Sequence, residues 1–573
     1  MVLRVASWLV AVLLVAHGAA AQPGVLPPPP PPPGGAMPQM PARDTTARTG
    51  TARIRGHVFD AETGSPIRKA QVRAFSPELR ENRMTMTDAG GAFELKEMPA
   101  GRYTLSASKG SYVMLQYGQR RPFEAGRPIE VLNAQTIEKV DFSLPRGSVI
   151  TGRIVDEFGE NAADVQVMAM RYQYFQGRRR LTPAGRPSMT NDIGEYRIYG
   201  LPPGQYYLSA TLRGMMMMMD ASTDDRSGYA PTYFPGTPNV AEAQRITVSL
   251  GQMLSDINLS LIPTRTARIS GTAVDSNGKP LAGGFIMVIQ RTGPMFMSSG
   301  GSQIRPDGSF TISNVAPGEY TLQAQMPGGF GELGESASAT ITVTGDDLTG
   351  VQLLGAKPSL ATGRIVVNPA EVAGLQPSTL RLSLMPAKGD DTMMMMGGPG
   401  GGKVNDDFTF ELRGRPGTQL VRLNMMGPNP GWTLKAVRQH GADVTDTGIE
   451  LKPNEDITGL EVELTNKPSE VSGVVTNARG EMLKDYTVVI FAQDSQRWGS
   501  GSRYLGTGRP DQDGRFKVRS LPPSQYCAIA IDYVEPGEAS DPEFLERIRS
   551  KAITFSLNEG ETKSLDLRLT TGS

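Results

Sequence analysis

The strongest constraint on this chain is a pattern that occurs five times along its 573 residues. Each copy opens with an alternating apolar segment that has a glycine at its centre. Residues two apart lie on one face of a β-strand, so we predict that the apolar residues of each segment are buried. A glycine in mid-strand indicates a bulge or the close approach of another backbone. The five segments are Ile54-x-Gly56-x-Val58, Ile150-x-Gly152-x-Ile154, Ile269-x-Gly271-x-Ala273, Ala361-x-Gly363-x-Ile365 and Val471-x-Gly473-x-Val475.

A turn and a second alternating strand follow the opening strand in most copies. Asp-Gly and Asn-Gly pairs supply the positive φ that hairpin corners require. In the first copy this strand is Ala70-x-Val72-x-Ala74, and in the third it is Phe285-x-Met287-x-Ile289. In each of these strands the alternating residues lie on one face.

The most diagnostic block combines two turns with two aromatic residues. An Asp-Gly turn precedes an aromatic residue that begins a strand and points inward, and a Pro-Gly turn precedes a tyrosine. We predict that this tyrosine enters the core edge with its hydroxyl near water. The fourth copy is degenerate, with Asp406-Asp407-Phe408-Thr-Phe410 and Pro416-Gly417. The inward aromatic residues of the other copies are Phe93, Tyr196, Phe310 and Phe516, and the tyrosines are Tyr103, Tyr206, Tyr320 and Tyr526.

Several short strands with turns between them, in about 100 residues, are typical of a two-sheet sandwich. We therefore predict an all-β chain of five tandem immunoglobulin-like or transthyretin-like β-sandwich domains. The junctions between copies are short and mostly carry proline, which restricts relative motion and predicts a semi-rigid string. The predicted domains, called modules 1 to 5 below, are 51–145, 146–263, 264–356, 357–466 (degenerate) and 467–573.

The segment before module 1 has two predicted parts. Residues 1–21 read as a secretory signal peptide, with Arg4, an apolar core and Ala19-Ala20-Ala21 before the expected cut. Residues 22–50 form a Pro-rich disordered linker that contains seven consecutive prolines, Pro27–Pro33. Such a tract favours extended polyproline II and does not build a core. We expect export to the periplasm, the outer surface or the extracellular space.

The repeated block Thr-Asp-x-x-Gly-x-Phe-x-Leu followed by Leu-Pro-Pro-Gly-x-Tyr resembles the carboxypeptidase regulatory-like domain. That family has a transthyretin-like sandwich and is grouped with carbohydrate-binding-like folds. The resemblance covers nearly everything from about residue 52 to 570. The whole chain is similar to multi-repeat secreted bacterial proteins that carry such modules without a peptidase. The resemblance implies an accessory, structural or binding role, by analogy of fold alone.

Charge and composition argue against several classes of protein. The 58 basic residues balance 58 acidic ones, whereas a nucleic-acid-binding protein usually carries a basic excess. After the signal peptide, no segment has about 18 consecutive apolar residues, so we predict no transmembrane helix. The single cysteine, Cys527, excludes an intramolecular disulfide.

Catalytic and metal chemistry find little support in the sequence. Two histidines follow the signal peptide, His57 and His440, in different copies, and we predict that both lie on the surface. A zinc site needs about three clustered ligands. Cys527 has no histidine nearby in sequence, and the glycine-rich run before Lys403 lacks the Ser or Thr of a phosphate-binding loop. We predict no enzyme, no catalytic residue, no metal and no cofactor.

Two weaker metal hypotheses stay open. The runs Met215–Met219 and Met393–Met396 offer thioethers that suit Cu(I), although low-complexity expansion or adaptable apolar contact is the favoured interpretation. Asp511 and Asp513 place two carboxylates in one turn, as calcium requires, although an Asp-Gly turn needs no metal.

Aromatic loops before the next-to-last strand are the candidate binding residues. Module 1 contributes Tyr112 and Tyr117, and module 2 contributes Tyr229, Tyr233 and Phe234. In the same place module 5 has a predicted short helix with Asp541 as its cap. The aromatic side chains can stack on sugar rings or form a partner surface, or they can cover an open edge of the sandwich. We predict Trp432 to be a core residue.

Two functional hypotheses follow. The first is a non-catalytic exported binding or scaffold protein, with polysaccharide or a cell-envelope protein as partner and carbohydrate as the first ligand class to test. The alternative is a structural stalk or adhesin-like protein-interaction module of the cell envelope.

Overall fold

The computed structural model describes residues 50–570, apart from 77–80, 176, 213–226, 292–297, 327–332, 371, 373–374, 388–399, 426–430 and 500. The predicted signal peptide, almost all of the linker, and both methionine runs lie outside the described residues. The all-β class of tandem β-sandwich domains is confirmed.

The strands of module 1 are β1 (Ala52–Asp60), β2 (Gln71–Ser76), β3 (Glu81–Met86), β4 (Ala92–Met98), β5 (Gly101–Ser108), β6 (Leu115–Gln116), β7 (Ile129–Val131), β8 (Thr136–Ile137) and β9 (Phe142–Leu144). Module 2 and its junction to module 3 contain β10 (Ser148–Val155), β11 (Val165–Phe175), β12 (Arg178–Pro183), β13 (Ser188–Met189), β14 (Glu195–Leu201), β15 (Gly204–Leu212), β16 (Ser227–Ala230), β17 (Thr232–Tyr233), β18 (Ile246–Val248), β19 (Met253–Leu254), β20 (Leu259–Ser260) and β21 (Ile262–Arg265). Module 3 contains β22 (Ala267–Val274), β23 (Phe285–Gln290), β24 (Ser298–Gln303), β25 (Ser309–Val315), β26 (Gly318–Gln325), β27 (Ser336–Val343) and β28 (Leu348–Leu354).

Module 4 contains β29 (Ser359–Val366), β30 (Leu380–Pro386), β31 (Gly400–Lys403), β32 (Thr409–Gly414), β33 (Gly417–Met425), β34 (Thr433–Gln439), β35 (Ala442–Asp443), β36 (Ile449–Leu451) and β37 (Ile457–Thr465). Module 5 contains β38 (Glu470–Thr476), β39 (Thr487–Ala492), β40 (Leu505–Gly508), β41 (Arg515–Arg519), β42 (Ser524–Ile531), the helix α1 (Pro542–Arg549), β43 (Ile553–Leu557), β44 (Thr562–Ser564) and β45 (Leu567–Thr570). Short 3-10 turns lie at Val240–Glu242, Pro377–Thr379, Ser495–Arg497 and Glu538–Ser540.

The opening strand of each module lies in the middle of one sheet. In module 1, β1 pairs antiparallel with β4 on one side and parallel with β8 and then β9 on the other. The second sheet has the order β3-β2-β5-β6, with β7 also paired to β5. Alternate residues of β1, including Ile54 and Val58, are buried against this second sheet. Separate clusters of buried apolar residues fill the corresponding space in the other modules.

The central glycine of each opening strand lies under a carbonyl group of the neighbouring parallel segment. In module 1 the partner of β1 changes from β8 to β9, and the carbonyl of Val140 lies over Gly56 at this change. A Cβ atom on Gly56 would lie 1.9 Å from that oxygen. The predicted close approach of another backbone is thereby confirmed in all five copies. The other four glycines and carbonyls are Gly152 with Ile257 (2.0 Å), Gly271 with Val351 (1.9 Å), Gly363 with Leu460 (2.1 Å) and Gly473 with Leu565 (1.9 Å).

The tyrosine hydroxyls do not lie near water, so that prediction is wrong. The four tyrosines are buried, and each hydroxyl donates to the carbonyl four residues earlier, just before the turn. This arrangement resembles the tyrosine corner of other sandwiches. It satisfies a carbonyl that the tight turn removes from the strand ladder. The pairs are Tyr103 with Pro99 (2.9 Å), Tyr206 with Pro202 (2.5 Å), Tyr320 with Ala316 (2.9 Å) and Tyr526 with Pro522 (2.6 Å).

The degenerate fourth module replaces two of these features. Gln419 stands where the others have tyrosine, and its Nε2 donates to the carbonyl of Arg415 at 3.3 Å. Phe408 has a φ of 64° at the turn position where module 5 has Gly514. Both replacements preserve the turn geometry. Phe408 is the less suitable of the two, because a phenylalanine rarely adopts a positive φ.

We expect Tyr526→Phe to lower the free energy of unfolding of module 5 by about 1 kcal/mol, because the Pro522 carbonyl loses its donor. Burial raises the pKa of Tyr526, so the hydroxyl remains a donor at neutral pH. Urea unfolding followed by Trp498 fluorescence measures the effect. A Trp432→Phe background removes the tryptophan of module 4, so that Trp498 reports on module 5 alone. An unchanged midpoint would show that the corner hydrogen bond contributes nothing to stability.

The core of module 3 does not use the alternating residues Phe285 and Met287 of β23. Ile286 and Val288 are fully buried, whereas Phe285 is 42% exposed. Because Phe285–Ile289 is apolar throughout, the sequence shows no true alternation there. The register is set by β26, where the buried residues Leu322 and Ala324 lie opposite Val288 and Ile286.

The string of modules is folded back, so that module 5 contacts modules that are not its sequence neighbours. Arg120 of module 1 lies 3.0 Å from Asp485, and Arg171 of module 2 lies 3.2 Å from Glu535. Module 5 is also held to module 4, where the guanidinium of Arg503 binds both carboxylate oxygens of Asp446 at 3.0 Å. Short proline-bearing junctions alone do not predict these contacts.

Candidate functional site

Tyr112 lies at the junction between modules 1 and 2. Its hydroxyl donates to the carboxylate of Asp60 at 2.9 Å, and Arg146 of the junction lies 3.4 Å from the same carboxylate oxygen. The guanidinium of Arg146 also lies over the tyrosine ring, 5.4 Å from its centre. The backbone amide of Val113 donates to the carbonyl of Pro145. The loop therefore binds the segment that leads into the next module.

Asp60 makes this junction sensitive to acid. The backbone amides of Thr63 and Glu62 donate to its carboxylate and, with the hydroxyl of Tyr112, lower the pKa of Asp60 to about 2. A depressed pKa in the folded state means that the stabilisation is present above the ordinary value of 3.8 and is lost as the pH falls towards 2.

We expect Asp60→Asn to flatten the pH dependence of module 1 stability between about pH 4 and pH 2, because the group that titrates there is gone. Hydrogen exchange of residues 109–116, followed by mass spectrometry across that range, measures the effect at the junction. Equal acid sensitivity of the variant and the parent protein would contradict the assignment to Asp60.

Tyr117 packs on the core of module 1 rather than standing free. Its ring meets Phe142 edge-on with the ring centres 6.1 Å apart, and the guanidinium of Arg127 lies 5.9 Å from its centre. Arg127 in turn donates to the carbonyl of Lys484 in module 5 at 3.3 Å. This side chain thus connects the core of its own module to a distant one.

Tyr229 lies in β16, which pairs with β21 at the junction to module 3. The register places Tyr229 opposite Pro263, and its hydroxyl donates to the carboxylate of Glu157. The late loop of module 2 therefore also binds the segment that leaves its module, although through a strand pair rather than through an ion pair.

Tyr233 and Phe234 are covered by module 2 itself. Tyr233 is 5% exposed and lies in a small apolar cluster with Met170 and Leu181. Burial raises the pKa of Tyr233 to about 12. Phe234 packs against the main core, and its amide donates to the carbonyl of Leu208. The structure does not bring these two residues together with the tyrosines of module 1.

The contact between modules 1 and 5, called the seam below, has a buried ion pair at its centre. The Arg509 guanidinium lies 2.6 Å from the Glu124 carboxylate, and these side chains are 8% and 3% exposed. Arg509 also lies 3.1 Å from Asp485. The other carboxylate oxygen of Glu124 accepts from the backbone amides of Arg120 and Arg121, which orders the loop that carries it.

Hydrogen bonds to the backbone extend the seam on one side of this pair. Arg102 of module 1 donates to the carbonyls of Lys517 and Arg509, each at 3.0 Å. Gln512 pairs with the backbone of Glu130 in both directions, accepting from its amide and donating to its carbonyl at 3.1 Å. Because Gln512 lies in the Asp-Gly turn of module 5, a repeated structural turn has acquired a contact role in this copy.

Ion pairs and a stacked arginine extend the seam on the other side. Arg121 lies 3.3 Å from Asp532 and over the ring of Tyr533. Arg171 of module 2 stacks 3.3 Å from the ring centre of Phe123 in module 1. Burial lowers the pKa of Arg171, and the carboxylate of Glu535, its ion-pair partner, opposes this shift. Modules 1, 2 and 5 therefore meet around this arginine.

The seam residues do not stand out in the sequence. Glu124, Arg509 and Gln512 belong to no motif, and a single charged residue in a turn is ordinarily solvated. The one signal that pointed to this region was the distinctive late segment of module 5. There Asp541 caps α1 by accepting from the amide of Glu543, as predicted.

The outer face of module 1 carries an open groove of 1020 Å³. The His57 and Phe59 rings, both on the outward side of β1, are stacked with their centres 5.6 Å apart. Arg55 and Glu94 form an ion pair on the groove floor, and Met84 is 57% exposed on its wall. His57 and His440 are exposed, which confirms their prediction as surface residues.

The remaining candidates have structural explanations. Asp511 accepts from the backbone amides of Asp513 and Arg515, so its carboxylate closes the turn. Within the described residues, no group of three metal-binding side chains is found. Cys527 is buried on the side of β42 opposite the main core, packed under α1, and burial raises its pKa. Trp432 is a core residue, as predicted.

Two of the five modules match the carboxypeptidase regulatory-like domain. The matches cover residues 53–145 and 268–352, in modules 1 and 3. The predicted resemblance to this family is confirmed. The regulatory-like domain is not itself a catalytic one. No helix in the described part of the chain is long and apolar enough to cross a bilayer. A search of curated proteins finds no match.

Solved structures similar to this chain include the following three proteins. The Bacillus anthracis TIE protein has 12% identity and a TM-score of 0.15, and the match covers 81% of this chain and 72% of that one. A streptococcal ancillary pilin has 12% identity and a TM-score of 0.18, with coverage of 53% and 98%. The minor pilin GBS52 of Streptococcus agalactiae has 15% identity and a TM-score of 0.17, with coverage of 36% and 96%.

Proposed function

We propose that this chain is a non-catalytic scaffold of the cell envelope or cell exterior that presents its surface to protein partners. The arrangement of the aromatic loops carries the proposal. The sequence predicts Tyr112 and Tyr229 as candidates for ligand binding. In the structure both make contacts at the junctions between modules. Loops used in this way order the junctions between consecutive modules, and an ordered array of modules suits the presentation of a surface.

The second support for the scaffold is the polar character of the contacts between modules. Arg509 with Glu124 and Arg503 with Asp446 fix module 5 against modules 1 and 4 by ion pairs. Interdomain contacts of this kind are more polar than obligate interfaces. The outer faces of the sandwiches remain accessible beside them, as the exposed side chains Phe75 and Met84 of module 1 illustrate.

The test is chemical cross-linking of the mature protein on intact cells of its own source, followed by identification of the linked proteins. We expect defined envelope proteins to be linked, and the Arg509→Ala variant to give a different pattern because its modules are no longer held together. Turnover of a substrate by the purified protein would overturn the proposal.

A carbohydrate-binding role is the second candidate, and the groove of module 1 favours it. His57 lines the groove beside the ion-paired Arg55 and Glu94, and exposed Met84 adds an apolar surface next to these hydrogen-bonding groups. Sugar rings have this combination of apolar faces and hydroxyl groups. The site differs from the aromatic loops, whose rings pack against the protein.

Affinity electrophoresis against soluble polysaccharides distinguishes the two candidate carbohydrate sites, the groove of module 1 and the aromatic loops. The variant His57→Ala should reduce binding if the groove is the site, whereas Tyr229→Ala should do so if the loops are. Absence of retardation with every polysaccharide would remove the carbohydrate candidate and leave the scaffold.

A further inference from the structure

The seam has the properties of an interface that can open and re-form. The buried apolar clusters of modules 1 and 5 are separate, and none in the described residues includes side chains from both. Each module thus keeps its own core when the seam opens. The surfaces exposed by opening carry Arg102, Arg120 and Glu124 on one side and Asp485 and Arg509 on the other, all of which water solvates well.

The seam is also strongly complementary in charge. Module 1 presents Arg120 and Arg121, which lie 3.0 Å and 3.3 Å from Asp485 and Asp532 of module 5. In the opposite direction Glu124 receives Arg509. Such matched pairs give an interface its register and its choice of partner.

The connection between the two sides is long. Arg120 and Asp485 are separated by 365 residues. Modules 1 and 2 contact each other through Arg146, and modules 4 and 5 through Arg503, with module 3 between these two pairs in the chain. Most of this connection consists of the folded modules 2, 3 and 4, so the two sides of the seam meet within one chain only while the junctions keep their arrangement. When a junction bends, a free partner can compete for the exposed side.

We propose that a second copy of this chain can occupy the seam, with modules 1 and 2 of one copy binding modules 4 and 5 of the other. The contacts are those of the closed chain, formed between molecules instead of within one. Exchange of an identical element is a route to oligomers that needs no new surface. The exchanged form gives a scaffold protein a way to associate with itself.

Charge reversal on one side at a time tests the proposal. Variant one carries Arg120→Glu and Arg121→Glu, and variant two carries Asp485→Arg and Asp532→Arg. Each should open its own seam and increase the radius of gyration in small-angle scattering. Mixed in equal amounts, the reversed module 1 of variant one meets the reversed module 5 of variant two. We expect the mixture to form a species of twice the monomer mass in light scattering over a dilution series.

The variant with all four substitutions is the matched control, because its reversed charges again complement each other within one chain. It should be as compact as the parent protein. Compaction of this variant together with a mixture that stays monomeric would overturn the exchange. Single-side variants that stay as compact as the parent protein would also overturn it, since these ion pairs would not then hold the seam. The signals of Trp432 and Trp498 verify that modules 4 and 5 remain folded in every variant.

Discussion

Gly473→Ala is expected to unfold module 5 under conditions in which the parent module is stable. The new Cβ atom would lie 1.9 Å from the carbonyl oxygen of Leu565. That oxygen belongs to backbone between β44 and β45, both paired to β38, so it cannot move away without breaking ladder hydrogen bonds. We expect a loss of about 4 kcal/mol or more, at the upper end of single substitutions. Urea unfolding, followed by the fluorescence of Trp498 in the Trp432→Phe background, measures this loss of stability.

Gly480→Ala in the same module separates the clash from the conformational cost. Gly480 has a φ of 82° on an exposed hairpin turn, and a Cβ atom there would meet nothing within 4 Å. Its replacement should therefore cost only about 1 kcal/mol, the penalty for a left-handed backbone. Equal losses in the two variants would show that the crossing carbonyl is not the reason for the glycine.

Arg509→Ala is expected to open the seam between modules 1 and 5. The substitution leaves the carboxylate of Glu124 buried without its cation, and breaking a buried pair in this way costs about 3–5 kcal/mol. Asp485 is less affected, because Arg120 remains beside it. We expect a larger radius of gyration in small-angle scattering and faster hydrogen exchange in residues 118–127.

Two further variants define that result. Arg479→Ala removes an exposed arginine from a hairpin turn of the same module and should change neither measurement. Arg509→Ala combined with Glu124→Gln removes both charges and should be less damaging than Arg509→Ala alone, since no unpaired charge stays buried. A compact Arg509→Ala protein would show that the pair does not hold the seam.

The repeated parts of this fold follow from the sequence because each rests on a local rule. The glycine of the opening strand, the Asp-Gly turn and the inward aromatic residue recur in register, so one copy supports the interpretation of the next. Buried Phe93, Phe310 and Phe516 lie where the pattern places them. The cap at Asp541 is equally local, since it depends on a few consecutive residues.

The errors have equally definite causes. The buried face of β23 does not follow from the sequence, because its five consecutive apolar residues contain no alternation and only the pairing with β26 sets the register. The prediction that the tyrosine hydroxyls lie near water fails because the carbonyl that accepts from each one becomes available only when the turn closes. The hydroxyl of Tyr526 donates to the carbonyl of Pro522, four residues earlier, and no spacing rule for strands predicts this hydrogen bond.

The candidate sites could be predicted even less well. The sequence located the aromatic loops but not what their side chains contact, because the partner of Tyr112 is Asp60, on a different strand. The seam joins residues hundreds of positions apart, such as Arg102 and Lys517. Each of these is unremarkable in its local context, so only the assembled structure identifies them.

The seam also determines how this molecule would respond to mechanical load. A force that draws module 1 away from module 5 acts first on Arg121, Arg127 and their partners, before it reaches the strands of any sandwich. These contacts at the edge of the seam yield more easily than a sheet whose strands are sheared together, and the buried pair of Arg509 and Glu124 yields after them. The chain would therefore lengthen by releasing its ends while every module stays folded, and it would shorten again when the force is removed.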